Sequence, residues 1–277
     1  MNIEKIIDDV GITTIHYERV SGGDINDAFC LHENSKKYFL KVNSVSAFPT
    51  MFEKEARGLH ELQITDCKLQ IPKVLKHGIT GDQQYLLLEW VELGVPGKDF
   101  WENFGISLGQ MHKKTQTYFG FEEDNFIGSL RQSNKKYDSW TEFYAKERIL
   151  PLTHKLGFDR KLVETFCNKL ENLFPKETPS LLHGDLWSGN FMCTANGNVC
   201  IYDPAVYYGL REMDIGMTKL FGGFDKRFYD AYNSVYPLEI GWEDRIPLTQ
   251  LYPLLVHATL FEGGYIERAK QILKKYS

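Results

Sequence analysis

The segment His183-Gly184-Asp185-Leu186-Trp187-Ser188-Gly189-Asn190, followed by Ile201-Tyr202-Asp203-Pro204-Ala205, constrains this chain more than any other part of it. Gly184, Ser188 and Gly189 crowd the first stretch with turn formers, so Asp185 and Asn190 belong to a loop. Asp203 closes a short apolar run that reads as a strand. At 277 residues the chain has room for about two domains, or one large one. From Met1 to about Val91 it reads as strands with a helix among them, and thereafter as mostly helical. The expectation is an α+β, two-lobed fold, with residues 1–91 as a small nucleotide-binding lobe and 92–277 as a larger catalytic and substrate-binding lobe. The breakers in Leu93-Gly94-Val95-Pro96-Gly97 mark the linker.

A loop aspartate, an asparagine five residues on and a second aspartate just past a strand have the order and spacing of a phosphoryl-transfer centre. In that pattern Asp185 takes the proton of an attacking hydroxyl, while Asn190 and Asp203 offer hard oxygen ligands suited to Mg2+. His183 reads as a strut for the loop, and Asp214 as an acceptor for its backbone N–H groups. Trp187 could either pack beneath the loop or offer a flat face to a sugar ring. Only Pro204 to Met213 separate Asp203 from Asp214, and no Ala-Pro-Glu follows. That leaves little room for a peptide-receiving platform and favours a small acceptor.

The first lobe supplies matching parts. Ser21 to Phe29 reads as a turn between strands, in which Gly22 and Gly23 would let backbone N–H groups approach a triphosphate; taken alone, such a turn is usually just a hairpin, and this one lacks the third glycine of a G-x-G-x-x-G loop. Alternation in Lys37 to Val42 puts Lys41 on the face of Phe39, opposite Tyr38, Leu40 and Val42. Phe52, Ala56, Leu59 and Leu62 repeat at helical spacing with Glu55 beside them, so Glu55 is the natural partner for Lys41, as a plain salt bridge or as the glutamate that orients a phosphate-binding lysine. Ile71 to Val74 and Tyr85 to Val91 read as further strands, the second central. Glu89, Trp90 and Val91, where strand meets linker, would present backbone groups to an adenine edge. Beyond the linker, helices are expected over Phe100 to Thr115, Tyr137 to Leu150 with Pro151 as its stop, Leu251 to Tyr265, and the charged end from Ile266 to Ser277. Leu108, Met111 and His112 read as a core stripe.

A net charge of −5 with scattered basic residues argues against nucleic acid or an anionic membrane as partner, and the start lacks an apolar signal core, so a cytoplasmic protein is expected. The cysteines, Cys30, Cys67, Cys167, Cys193 and Cys200, form no Cys-x-x-Cys pair and read as reduced thiols. The Asn196-Gly197 turn could bring Cys193 and Cys200 together across a hairpin.

Beyond these readings, the chain resembles the fructosamine kinase (ketosamine 3-kinase) family, a protein-kinase-like branch near the aminoglycoside and choline kinases. The resemblance runs from Ser21-Gly22-Gly23-Asp24-Ile25-Asn26 through Phe39 to Asn43 and Met51 to Ala56. It continues through Phe119-Gly120-Phe121, Gln132 with Asn134, Trp140 to Tyr144, His183 to Asn190, Tyr202 to Ala205 and Phe221-Gly222-Gly223-Phe224. It implies ATP and Mg2+ as cofactors, a ketosamine or glycated lysine as substrate, phosphorylation at the sugar 3-hydroxyl, and deglycation as the outcome. It also implies Asp185 as proton acceptor, Glu89 to Val91 as nucleotide hinge and Trp187 as a substrate neighbour. Asp24 stands near the place where some relatives carry a loop cysteine, so thiol switching there is not carried over. Phosphorylation of an aminoglycoside, choline or another hydroxylated amine is the alternative within kinases, and a nucleotide-binding scaffold without turnover the alternative outside them.

Overall fold

Aromatic and branched residues around Phe39 favour an extended strand whose successive side chains face opposite ways. The computed structural model, which describes residues 3–13, 16–20, 25–65, 67–261 and 263–277, builds a five-stranded sheet on that strand. Its strands are β1 (His16–Val20), β2 (Asp27–Glu33), β3 (Lys36–Ser44), β4 (Val74–Thr80) and β5 (Gln83–Glu89). They lie in the order β1-β2-β3-β5-β4, every neighbouring pair antiparallel. Leu40, Val42, Tyr85 and Leu87 pack on one side with Ile3, Ile6 and Ile7 of helix α1 (Ile3–Val10). Leu86 and Leu88 pack on the other with Phe52, Ala56, Leu59 and Leu62 of helix α2 (Met51–Gln63). Phe39 joins this second cluster and Lys41 reaches α2, as the alternation requires.

β5 lies between β3 and β4, inside the sheet as expected. The strand expected from Ile71 instead begins at Val74. Pro72 has no N–H for a ladder, and Lys73 binds locally, its carbonyl accepting from Glu89 N (2.9 Å) and its N–H donating to Glu89 Oε1 (3.1 Å).

The rest of the chain is mainly helical. α3 (Phe100–His112) precedes a small hairpin, β6 (Asn125–Ile127) and β7 (Leu130–Gln132). Then come α4 (Trp140–Phe143), a π-helical turn over Tyr144–Ile149, α5 (Leu150–Lys155) and α6 (Arg160–Leu173). Short strands β8 (Ser180–Leu182), β9 (Phe191–Cys193), β10 (Val199–Ile201) and β11 (Tyr207–Gly209) pair as β8 with β11 and β9 with β10. α7 (Glu212–Thr218), α8 (Lys226–Val235), α9 (Trp242–Leu260) and α10 (Tyr265–Tyr276) complete it.

Several expected helix boundaries move: the helix expected from Tyr137 begins at Trp140, and the one expected to reach Tyr265 ends at Leu260. Pro151 does not stop the helix: the chain stays helical from Trp140 to Lys155, and Pro151 follows directly on the π-helical turn, where the α-helical ladder is already interrupted. α9 begins nine residues before Leu251 and contains Pro247 and Pro253. A proline inside a helix costs about 3 kcal/mol, whereas full burial of a leucine contributes about 1.5–3 kcal/mol, and α9 buries Leu248, Leu251, Leu254 and Leu255. The β9–β10 hairpin forms where Asn196-Gly197 signals it, but its register sets Cys193 opposite Val199, and all five cysteines are free thiols. Among the described residues no helix is long and apolar enough to cross a membrane.

α3 and α8 touch at backbone distance. A Cβ on Gly105 would lie 2.1 Å from the Phe228 carbonyl oxygen and 2.9 Å from Tyr232 N, so only glycine fits. Gly105→Ala is expected to cost about 2–3 kcal/mol, read as a lower urea midpoint with an unchanged slope.

Candidate active site

β8 delivers the chain to His183, and the loop 183–190 turns it back into β9. Gly184 takes φ +82°, and a Cβ there would lie 2.1 Å from the Ala205 carbonyl oxygen. The loop is thereby pressed against the segment after β10. Ala205 N donates to His183 O (2.9 Å) and Tyr202 N to Asn190 O (3.1 Å), fixing both ends. Asp203 itself sits at φ 56°, a left-handed conformation that aspartate tolerates better than most residues.

Asp214, buried on α7, holds the loop from beneath. Its carboxylate accepts from His183 N (2.8 Å) and Gly184 N (2.9 Å) and lies 3.2 Å from His112 Nε2. His112 is fully buried with its other nitrogen 2.8 Å from the Tyr232 hydroxyl, so it is a core residue with a polar duty. Burial alone would raise Asp214, but its bonds with His112 and the loop amides hold its carboxyl below the usual range. His183 braces the loop as expected: its Nε2 lies 2.9 Å from Tyr202 O, and Asp185 N donates to its Nδ1 (3.3 Å). The tautomer that satisfies both bonds is neutral with the proton on Nε2. Burial pushes its pKa down, outweighing the nearby Asp214 charge.

Lys41, Glu55, Asp185, Trp187, Asn190 and Asp203 all line one cavity of about 220 Å3. The Lys41 side chain is 3% exposed; its ammonium lies 2.8 Å from Glu55 Oε1 and also bonds Asp203 Oδ1. Burial would lower its pKa, but the Asp203 and Glu55 carboxylates outweigh that and hold it above its ordinary value. Asn190 Nδ2 donates to the Asp185 carbonyl (2.8 Å) and to Asp185 Oδ2 (3.0 Å). Desolvation, then the Asp203 charge, raise the Asp185 carboxyl to about 7. With its nitrogen turned to Asp185, Asn190 has its amide oxygen left for a hard cation. Two mutually repelling carboxyls and that oxygen make a donor set that fits Mg2+.

Trp187 lies between the loop and the cavity. Its indole lies over Gly189 and edge-on to Phe221, and it also forms cavity wall. Glu89, Trp90 and Val91 do not line this cavity, and Gly22 and Gly23 lie outside the described residues.

Sequence reasoning missed two groups. One is the far wall, where Val256, His257, Leu260 and Phe261 of the α9 end face the cavity; in the sequence they are only a hydrophobic helix. The other is a buried amide network under the segment after Asp203. Asn125 Nδ2 donates to Val206 O (2.7 Å), Gln132 Nε2 to Ala205 O (3.1 Å), and Tyr252 OH to Gln132 Oε1 (2.9 Å). Asn134 bonds Asn125 (2.9 Å) and accepts from Arg148 (2.6 Å), whose guanidinium stacks over Phe143 and Tyr207. Gln132 and Asn134 were part of the family pattern, but nothing in the sequence reveals that such amides are buried.

Because His183 is held neutral below its ordinary pKa, its contribution to stability is complete above about pH 6.5 and lost as pH falls below that value. His257, lowered by burial too, adds in the same direction. Asp185, raised to about 7, acts in the opposite direction between about pH 7 and 4, so the histidine part is read as a difference: from about pH 6.5 downward the urea midpoint of His183→Gln should rise relative to that of the unsubstituted protein.

A family model described as fructosamine kinase matches residues 3–277. The chain is 40% identical over 265 residues to a Synechocystis sp. protein named a probable ketoamine kinase, covering 92% of this chain and 88% of that one. It is 37% identical over 268 residues to the Arabidopsis thaliana chloroplastic protein-ribulosamine 3-kinase, covering 93% and 81%. A solved structure from Thermobifida fusca YX-ER1, assigned as a fructosamine-3-kinase, superposes with a TM-score of 0.86 at 31% identity, covering 98% of this chain and 96% of that one. With a match along its whole length and a shared two-lobed, protein-kinase-like fold, this chain belongs to the fructosamine kinase family.

Proposed function

We propose that this protein is an ATP-dependent kinase that phosphorylates the 3-hydroxyl of the sugar in a ketosamine, such as a ribulosamine or fructosamine, and so initiates deglycation. The observation that carries the reading is the convergence of Lys41, Asp185, Asn190 and Asp203 on one cavity. Residues 1–91 would grip the nucleotide and 92–277 the acceptor. Asn190 and Asp203 would hold Mg2+; MgATP supplies the phosphoryl group and the divalent charge that screens it.

Asp185 would take the acceptor proton. Asn190 Nδ2 fixes its Oδ2, leaving the other carboxylate oxygen for the hydroxyl, and its raised pKa gives it proton affinity near neutrality. Lys41, held by Glu55, would neutralise phosphate charge. The acceptor is small. Residues 204–213 are all buried, and the first of them are tied down by the amide network, so no mobile peptide platform follows Asp203. Trp187 and the α9 end would form the acceptor wall, which is apolar and aromatic and suits a sugar ring with an aliphatic amine. The names of the relatives, ketoamine kinase and protein-ribulosamine 3-kinase, support this substrate class.

The test is ADP release with MgATP across ribulose-lysine, fructose-lysine, aminoglycosides and choline, with mass spectrometry of the products. Phosphate on the sugar of a ketosamine is expected; turnover of choline alone would overturn the reading. Asp185→Asn should lower kcat by about 10²–10⁴ while nucleotide affinity stays within about twofold.

A further inference from the structure

The β1–β2 ladder carries four metal-ligating side chains on one face. Its register sets His16 opposite His32 and Glu18 opposite Cys30, and two-residue alternation turns all four the same way. Cys30 Sγ lies 3.5 Å from His32 Nε2, and the same nitrogen lies 3.3 Å from Glu18 Oε1. All three atoms fall within 4.8 Å of one another, and the His16 ring centroid is 5.5 Å from that of His32.

We propose that this face is a site for a zinc-class divalent cation, held by Cys30, His32 and Glu18 with His16 or water in the fourth position. Zinc bonds of about 2.3 Å to sulfur and about 2.0–2.1 Å to nitrogen or oxygen, at tetrahedral angles, separate sulfur from nitrogen by about 3.6 Å and nitrogen from oxygen by about 3.3 Å. The two observed separations match those tetrahedron edges. Hydrogen bonding accounts for only part of this: 3.5 Å is ordinary for a sulfur contact, but the 3.3 Å Glu18 contact exceeds the usual range of about 2.7–3.2 Å for N–H donors to oxygen, and a single Nε2 cannot accept from the Cys30 thiol and donate to Glu18 at once. A thiolate, an imidazole and a carboxylate select zinc or a similar borderline ion over Mg2+. Cation binding converts the Cys30 thiol to thiolate and releases its proton to solvent. The site is reachable, since Glu18 and the His32 ring are partly exposed although Cys30 is buried. Lys37, opposite His32 on β3, does not oppose a cation with a bare charge, because its ammonium is paired with Glu92 (2.8 Å).

The ladder shares its face with the catalytic lysine, Cys30 lying opposite Phe39 and Ala28 opposite Lys41. A cation there would pin β1 to β2 at the outer end of that face. The site is separate from Asn190 and Asp203, and the proposal does not rest on the kinase reading.

Titration of the full chain with Co2+ tests it. One equivalent should bind with a near-ultraviolet thiolate-to-cobalt absorption band, displaced by Zn2+ and retained in Asp203→Asn. The band should vanish in Cys30→Ser, and affinity should fall at least about tenfold in His32→Ala and in Glu18→Gln. Glu18 is exposed, so its substitution cannot act by unfolding the protein, and thiolate absorption distinguishes this site from an oxygen-only magnesium site. Absence of the band, or its survival in Cys30→Ser, would overturn the proposal.

Discussion

An ammonium withdrawn from water and shared by two carboxylates holds the functional half of this molecule in register. Lys41 stands on the central strand of the sheet, Glu55 on the helix packed beneath it, and Asp203 on the loop past β10, far along the chain. For Lys41 and Glu55, burial without a partner would be costly, whereas Asp203 keeps about a third of its side chain exposed. Together they form a pair and a bridge, and removing one partner of such a buried group typically costs about 3–5 kcal/mol because the remaining charge is stranded. The arrangement that places a cation beside the cavity is therefore also the one that ties the sheet to the segment after β10.

A second polar centre does the same from the opposite side. Asp214 collects two loop amides and His112, and His112 in turn meets Tyr232 on α8. The loop geometry is thus referred back to the helical core. Beneath the next segment, Asn125, Gln132 and Asn134 hold the carbonyls of Ala205 and Val206, with Arg148 closing the network inside the π-helical turn. Both loops thus rest on buried polar groups, hydrogen-bonded except for Arg148 Nε in the second layer. On the β1–β2 ladder, Cys30, His32 and Glu18 instead bring their ligand atoms together within 4.8 Å of one another near the surface.

Much of this was legible in the order of residues, and the misses have a common cause. Alternation put Lys41 on the correct face, and helical spacing put Glu55 within its reach. Asn196-Gly197 announced the β9–β10 hairpin. Local rules failed where long-range burial outweighed them, as at Pro247 and Pro253 inside α9. They failed too where a proline's position within its helix mattered more than its presence, as at Pro151. The amide network and the α9 wall were invisible, since asparagine, glutamine and leucine carry no mark of which neighbours will bury them.

By itself the sequence determined the chemistry on offer: the spacing of Asp185, Asn190 and Asp203, the lysine and glutamate that answer them, and the family to which they belong. These are properties of residue type and local periodicity, which the chain carries before it folds. Only the tertiary structure decided that these groups share one cavity, that Asp185 is desolvated beside Asp203, that His183 is held neutral, and that Cys30 faces His32 and Glu18. Direction, burial and field arise from segments brought together across long separations, and no local pattern encodes them.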